Sequence, residues 1–327
     1  MKYSCATLGR MQLDEYVRVV PKIYGVHDKH RSIWDLWCHT LHHGAAVAER
    51  IRKRAPADKL FAEIADLALW LFTVVHRLSG RPGKRRIPFE PGADIVVRIN
   101  CSCSDLLWHR YPALCHLCHV RRKAHGRQPR LLDPCDCPDL GWDHRDKETK
   151  RADLKLLRRF SKSTRNRKPK SIDDWQKMFG TIFCKKINAL TPVEIGFHLL
   201  EELGEASDAM VRMYSYVERD FRAGEPNWRQ ARLEDQFADA FSWLFALVEK
   251  LNSLPLSKQE QRRKKNAAPP SDQHITLSEI IWRRYGSDRL KAFRCPKCNK
   301  ATCSCPLVFV PATHQMEDLL RKFKHSL

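Results

Sequence analysis

The chain has 327 residues, which is enough for about two domains of roughly 150 residues each. Its apolar fraction of 43% can fill hydrophobic cores and excludes global disorder, while no apolar run reaches the ~18 residues of a membrane-spanning helix. The formal net charge of +21 favours polyanionic partners, namely nucleic acid, nucleotides or a phosphate-rich surface, without choosing among them.

Most of the predicted elements are helices. Apolar residues recur at spacings of three and four, the period of a helix with one buried face, in segments 33–54, 59–78, 192–217 and 233–251. A further helix is predicted within 152–160. Pro192 suits the first turn of its helix, with Thr191 as N-cap and Glu194 three residues after the cap. Short strands are predicted at 95–99 and 307–310.

The sequence repeats itself in three blocks, which align 13–42 with 172–201, 61–78 with 234–251, and 105–112 with 279–286. The second block places Asp66 on Asp239 and Trp70 on Trp243. In both halves the third block is followed by Cys-x-x-Cys and then by Cys-x-Cys-Pro. Three matches in the same order predict a tandem duplication. We refer to residues 1–140 as copy one and to residues 172–327 as copy two.

The expected fold is mainly α, with two helical bundles packed as a pseudo-dimer and a small four-cysteine zinc-binding module after each bundle. The predicted boundaries are 1–80 for the first bundle, 81–140 for its module, 141–171 for a basic linker, 172–253 for the second bundle, and 254–327 for a second basic linker and module. The basic segments are interpreted either as solvated linkers or as contacts to nucleic acid, and the sequence leaves both open.

Copy two has an unusual concentration of carboxylates on two predicted helices. Glu201, Glu205 and Asp208 are three or four residues apart and share one helix face, with Glu202 beside Glu205. On the later helix, Asp235 lies one turn before Asp239. Side by side, such helices would form an oxygen-rich site of the kind that Mg²⁺ prefers, although a solvated acidic face is the alternative.

These two segments resemble the MazG-like class of all-α nucleoside triphosphate pyrophosphohydrolases. The family pattern is Glu-Glu-x-x-Glu on one helix and Glu-x-x-Asp on the next. Glu201, Glu202 and Glu205 match the first part, and Asp239 matches the aspartate of the second. Gln236 stands where the family has glutamate, and Asp235 is a possible substitute. The resemblance covers the helical part of copy two and, through the duplication, that of copy one.

The resemblance implies a Mg²⁺-dependent enzyme that converts a (d)NTP to a monophosphate and pyrophosphate. Its metal ligands and catalytic residues would be Glu201, Glu202, Glu205 and Asp239. Auxiliary candidates are Asp235, Gln236, Asp208, Lys185, Lys186, Glu63 and Asp66. The two lysines would contact phosphate or base, although an ordinary surface role is equally open.

Copy one departs from the family pattern in the opposite way. His42, His43 and Ala46 occupy the positions of Glu201, Glu202 and Glu205, whereas Glu63 and Asp66 keep the Glu-x-x-Asp of the second helix. Copy one is therefore interpreted as a degenerate partner that completes the bundle. Cooperation of the two half-motifs across the pseudo-dimer is the alternative.

Of the thirteen cysteines, eight form the Cys-x-x-Cys and Cys-x-Cys-Pro pairs that recur in both halves. Without a visible secretory signal, this spacing favours metal ligation over disulfides and a cytoplasmic location. Structural Zn²⁺ is predicted at two tetrahedral sites, Cys115, Cys118, Cys135 and Cys137 in copy one and Cys295, Cys298, Cys303 and Cys305 in copy two. Additional candidates in copy one are Cys101, Cys103, His109, His116 and His119, which leave its ligand set open.

Two functional hypotheses follow. The first is the Mg²⁺-dependent pyrophosphohydrolase, with nucleoside triphosphates as substrates. The second is a catalytically impaired zinc protein that binds nucleotides or nucleic acid, which Gln236 and the net charge favour. Neither hypothesis involves a membrane, and an interaction scaffold or homo-oligomer based on the duplicated bundle stays open.

Overall fold

The helical prediction is confirmed in the computed structural model, which describes residues 9–28, 31–79, 99, 101–115, 117–118, 130–137, 147–215, 228–253 and 274–305. In these ranges the chain is mainly helical. The helices are α1 (Leu13–Asp28), α2 (Ile33–Arg52), α3 (Ala57–Leu78), α4 (Cys103–Arg110), α5 (Lys147–Ser163), α6 (Ile172–Ile182), α7 (Cys184–Ala189), α8 (Pro192–Ser215), α9 (Trp228–Asn252) and α10 (Leu277–Tyr285). Strands β1 (Gly286–Ser287) and β2 (Ala292–Phe293) pair antiparallel.

Side-chain caps define where several helices begin. Thr191 and Glu194 form the reciprocal pair predicted for α8: the Thr191 backbone N–H donates to Glu194 Oε2 at 2.7 Å, and the Glu194 N–H donates to Thr191 Oγ1 at 3.3 Å. Equivalent capping boxes open α2, α6 and α10. Each cap satisfies backbone donors that a helix leaves without partners, which stabilises it by about 1 kcal/mol.

The core lies where the two long helix pairs meet. Helices α2 and α3 pack together, α8 packs against α9, and α2 packs against α8. The buried rings of Phe72 and Phe241 stack with centroids 5.3 Å apart, and the indole of Trp37 donates to Ser207 Oγ at 2.8 Å. Each large apolar side chain buried here contributes about 1.5–3 kcal/mol relative to exposure. The two predicted copies therefore share one continuous core.

The segments after each helix pair contact the opposite copy. Helix α4 of copy one packs on α9, and α10 of copy two packs on α3. Each cysteine cluster likewise contacts the opposite copy. The Cys135 N–H donates to the Ile182 carbonyl, and the Cys303 N–H donates to the Ile23 carbonyl, both at 2.7 Å. Ile23 and Ile182 are aligned positions of the predicted repeat. Each module is thus positioned by the helices of the other copy.

The basic segment between the copies is partly ordered against the fold. The helix predicted at 152–160 is confirmed, since α5 extends from Lys147 to Ser163. Residues 161–170, interpreted as linker, continue that helix and then form a 3-10 turn at Arg165–Arg167. The Trp108 indole donates to the Ser161 carbonyl at 2.8 Å, which fixes α5 to α4. The predicted strand at 307–310, most of that at 95–99, and the basic run 257–272 lie outside the described residues.

In the part of the chain that the structure describes, none of the helices has the length and apolar character needed to cross a membrane.

At the crossing of α2 and α8, Gly44 faces Leu203, its aligned residue in copy two. A Cβ on Gly44 would lie 2.5 Å from Leu203 Cδ1, so two identical large residues do not fit at this crossing. We expect Gly44→Ala to destabilise the protein by about 1–2 kcal/mol, because overpacking exceeds the gain in helix propensity.

The matched control is Gly204→Ala in α8, where a Cβ would meet nothing within 4 Å. This change should stabilise the protein by about 0.5–1 kcal/mol through helix propensity alone. Urea unfolding of both variants measures the difference. Equal effects of the same sign would contradict the close approach of α2 and α8.

Candidate functional site

The carboxylates predicted to bind metal lie along the packed helices α8 and α9. We define the acidic cluster as Glu202, Glu205, Asp235 and Asp239. Asp239 is buried, and Glu202 is half-buried. Burial and the negative charges of Asp239, Glu205 and Glu201 raise the pKa of Glu202 to about 9. The cluster therefore brings carboxyl groups together where water screens them poorly, which favours the protonated form of Glu202.

Asp239 is bound by two side chains from the opposite copy. Arg110 donates from Nε to Oδ1 at 3.0 Å and from Nη2 to Oδ2 at 2.8 Å, and the Tyr111 hydroxyl donates to Oδ1 at 2.5 Å. Arg110 Nη1 also lies 3.5 Å from Asp235 Oδ2. Burial raises the pKa of Asp235 to about 6 against the opposing effect of Arg110. A cation that binds Asp239 therefore competes with a bidentate guanidinium.

Two other predicted residues lie at the exposed side of α8. Glu201 is exposed and accepts from His198 Nδ1 at 3.2 Å if that nitrogen carries the proton. Asp208 accepts from Arg212 Nε at 2.8 Å and from Arg232 Nη2 at 3.3 Å. Asp208 is thus neutralised by arginines, one of them a single turn along α8 and the other from α9.

Gln236, which replaces the family glutamate, has a buried Oε1 with no hydrogen-bond partner among the described residues. It lies three residues before Asp239 on α9 and shares its helix face. An amide oxygen is an acceptable ligand for a hard cation. A divalent cation held beside Asp239 could use this acceptor, so the chemistry of the donor set is compatible with the group that the resemblance implies.

The structure brings together only part of the predicted Mg²⁺ set. In the described ranges, four groups have ligand atoms that all lie within 4.8 Å of one another: the two four-cysteine clusters, Cys101 with His109 and Glu234, and His43 with Glu63 and Asp66. Glu201, Glu202, Glu205 and Asp239 are not such a group. Lys185 lies elsewhere, since its ammonium pairs with Asp136 beside the first cysteine cluster, and Lys186 follows it on α7.

Copy one repeats the arginine–tyrosine arrangement at Asp66. Arg284 donates from Nε to Oδ1 at 3.1 Å and from Nη2 to Oδ2 at 3.0 Å, and the Tyr285 hydroxyl donates to Oδ1 at 2.6 Å. The Glu63 carboxylate lies 3.0 Å from His43 Nδ1 and 3.5 Å from Arg50 Nη2. Two carboxylates thus face two guanidiniums, so this site is close to electrically neutral.

The equivalent charges do not balance in copy two. There the Arg110 guanidinium faces the carboxylates of Glu202, Asp235 and Asp239, with Glu205 adding to the negative potential at Glu202. Arg158, which is also nearby, pairs with Glu234 at 3.6 Å. The two copies thus share the arginine–tyrosine contact, but only copy two places more carboxyl groups than guanidiniums together, and the raised pKa of Glu202 reflects this excess.

The Glu202 carboxyl predicts a pH-dependent stability. Its pKa is raised from 4.5 to about 9, so between these values the folded protein retains a proton that the unfolded chain has lost. Stability therefore falls as pH rises through this window. Without divalent cations, we expect Glu202→Gln to stabilise the protein at pH 7 by about 1–3 kcal/mol and to remove this slope.

Glu201→Gln is the matched control, because Glu201 is the adjacent but exposed carboxylate. It should change stability by less than about 0.5 kcal/mol. Urea unfolding at several pH values in a chelating buffer measures both variants. A Glu202→Gln variant with the same pH slope as the parent chain would show that Glu202 is not held among like charges.

The two cysteine clusters have the geometry of tetrahedral metal sites. In copy one the Sγ distances are 4.0 Å for Cys115–Cys137, 3.7 Å for Cys118–Cys135 and 3.2 Å for Cys118–Cys137. In copy two they are 3.9 Å for Cys295–Cys305 and 4.0 Å for Cys298–Cys303. Four sulfurs around Zn²⁺ at about 2.3 Å lie about 3.8 Å apart. Both predicted clusters are therefore assembled and could hold Zn²⁺.

Backbone N–H donors favour the thiolate form of a cysteine in the second cluster. The N–H groups of Ser304 and Lys300 lower the pKa of Cys298 to about 6, which favours the thiolate that binds metal. The Tyr24 hydroxyl, from copy one, donates to Cys295 Sγ at 3.8 Å. The cluster thus forms part of the contact between the copies.

Sequence reasoning did not assign Arg110, Tyr111, Arg284 and Tyr285 to the carboxylates. The signal was present, because Arg-Tyr recurs in the third repeated block at 110–111 and 284–285. Their partners are 128 or 129 residues away for Tyr111 and Arg110, and 218 or 219 residues away for Arg284 and Tyr285. The repeat does not reveal that each pair crosses to the other copy.

Comparison of the chain with protein-family models, curated proteins and solved structures found no match in any of the three.

Proposed function

We propose that the chain is a Mg²⁺-dependent nucleotide pyrophosphohydrolase whose active copy is copy two. The observation that carries the proposal is the charge difference between the two equivalent sites. Copy one pairs Glu63 and Asp66 with two arginines, whereas copy two presents Arg110 to three carboxylates. Three carboxyl groups beside one guanidinium ionise together only at a cost that a bound cation removes, and carboxylates suit Mg²⁺.

The proposal includes the tandem duplication and the resemblance to the MazG-like class. Aligned positions make equivalent contacts in both halves: Asp66 and Asp239 with arginine and tyrosine, and His39 and His198 with stacked Trp70 and Trp243 at 4.5 Å. These equivalences support a pseudo-dimer of two related copies. Copy one would then serve as the degenerate partner.

Each residue of the site has a proposed role. Glu202, Glu205 and Asp239 would hold the cation, with Glu201 at the exposed edge and Gln236 offering its amide oxygen. Mg²⁺, when bound, would offset the phosphate charge and polarise the phosphorus centre. Phosphate oxygens accept the same bidentate contact from arginine as a carboxylate does. Substrate could therefore draw Arg110 away from Asp239 and release that carboxylate.

The reaction is a hydrolysis of the α,β-phosphoanhydride. Water adds to the α-phosphorus, the bond from this phosphorus to the α,β-bridging oxygen breaks, and pyrophosphate leaves. A carboxylate of the acidic cluster would accept the proton of the attacking water. Glu202 would suit this role once a bound cation has displaced the proton that its raised pKa otherwise retains near pH 7.

One observation favours the second hypothesis, a nucleotide- or nucleic-acid-binding zinc protein with an impaired catalytic site. The bidentate contact of Arg110 and the hydroxyl of Tyr111 already occupy both oxygens of Asp239. If this contact persists with nucleotide present, the cation loses one predicted ligand. The net charge of +21 would then serve binding alone.

The test is pyrophosphate release from a panel of NTPs and dNTPs, with Mg²⁺ or with a chelator. The proposal predicts Mg²⁺-dependent release of monophosphate and pyrophosphate in equal amounts from at least one nucleotide. No release from any nucleotide by zinc-loaded protein would overturn it. Nucleotide binding without turnover would then favour the second hypothesis.

A further inference from the structure

A third group of metal-binding side chains lies at the contact between α4 and α9. Cys101 precedes α4, His109 lies in its last turn, and Glu234 comes from α9 of the other copy. One ligand atom of each residue lies within 4.8 Å of the other two. A thiol, an imidazole and a carboxylate thus converge across the boundary between the copies.

The surroundings of these side chains favour a ligand there. Nδ1 of His109 is buried and has no hydrogen-bond partner among the described residues, which normally costs about 1–3 kcal/mol. Glu234 is only 8% exposed, and its Oε2 lies 3.6 Å from Arg158 Nη2.

The repeat provides an internal comparison. The aligned positions in the other half are Ile275 for Cys101, Arg283 for His109 and Phe61 for Glu234. The equivalent contact, α10 on α3, thus forms with no metal-binding side chains at these positions. Packing of two such helices therefore does not require cysteine, histidine and glutamate. Their presence together at the contact of α4 with α9 indicates a separate function.

We propose that Cys101, His109 and Glu234 bind a third Zn²⁺ ion, distinct from the two four-cysteine clusters and from the acidic cluster. Thiolate, imidazole and carboxylate are all zinc ligands, and this mixed set excludes Mg²⁺, which takes oxygen ligands. Three protein ligands leave a fourth tetrahedral position for water or another exchangeable ligand. The ion would also join α4 to α9 beside the contact of Arg110 with Asp239.

Zinc content of the full chain tests the proposal. Protein dialysed against zinc-buffered solution and passed through gel filtration should contain three Zn²⁺ per chain. Cys101→Ser and Glu234→Gln should each contain two, whereas the exposed thiol variant Cys38→Ser should keep three. A parent chain that contains two, or a Cys101→Ser variant that contains three, would overturn the proposal.

Cobalt substitution keeps the test decisive if a variant fails to fold. One equivalent of Co²⁺ added to the parent chain, with two Zn²⁺ already bound, should produce a thiolate-to-cobalt charge-transfer band. Its intensity should correspond to one sulfur ligand rather than four. Absence of the band, or a band that Mg²⁺ abolishes, would overturn the assignment.

Discussion

Replacement of Cys303 by serine should remove one zinc ion per chain and destabilise the whole protein, not only the residues around the cluster. Cys303 is a buried member of the second cluster, and its N–H donates to the Ile23 carbonyl at 2.7 Å. Structural zinc contributes folding free energy directly, on the order of 10 kcal/mol in small zinc domains. Loss of one ligand should therefore cost at least about 3–5 kcal/mol.

The effect should reach copy one through α10. Helix α10 carries Arg284 and Tyr285, which bind the buried carboxylate of Asp66 on α3. If the second module unfolds, Asp66 loses these partners and remains buried with an uncompensated charge. Zinc analysis and thermal unfolding measure the outcome, with Cys38→Ser as the exposed-thiol control. An unchanged melting temperature together with lost zinc would show that the module does not support the core.

Replacement of Glu202 by glutamine should reduce Mg²⁺-dependent pyrophosphate release by about 100-fold or more. The amide cannot neutralise a divalent cation and cannot accept the proton of the attacking water. The aligned residue in copy one is His43, which contacts Glu63 in the neutral site. His43→Gln should therefore change the rate by less than about threefold.

This pair of variants assigns the reaction to one copy. Because both substitutions introduce glutamine at aligned positions, general effects of the new side chain cancel in the comparison. The stability of Glu202→Gln adds a check, since this variant should be more stable than the parent chain when it is less active. Equal losses of activity in both variants would contradict a single active copy and favour a site shared between them.

Much of the architecture is predictable from local patterns. Apolar residues spaced by three and four predicted α2, α3, α8 and α9, and Thr191 with Pro192 predicted where α8 begins. The close spacing of the cysteines predicted both four-cysteine clusters, because short loops allow few other arrangements.

The contacts that each copy makes with the helices of the other could not be predicted from these local patterns. Arg110 and Tyr111 bind Asp239, and Glu234 joins Cys101 and His109, through distances in sequence of more than a hundred residues. Periodicity determines which face of a helix is buried but not which partner covers it. The carboxylates of α8 and α9 were therefore predictable as a group, whereas the guanidinium among them was not.

The most direct test of a cation site in copy two is a Mn²⁺ titration of zinc-loaded protein, followed by electron paramagnetic resonance. Mn²⁺ substitutes here for Mg²⁺. We expect saturable Mn²⁺ binding that strengthens as pH rises, because the cation displaces the proton that the raised pKa of Glu202 retains. Glu202→Gln should lose this binding, and His43→Gln should keep it. Mn²⁺ binding that is absent from the parent chain, or unaffected by Glu202→Gln, would contradict the assignment of the acidic cluster as a divalent-cation site.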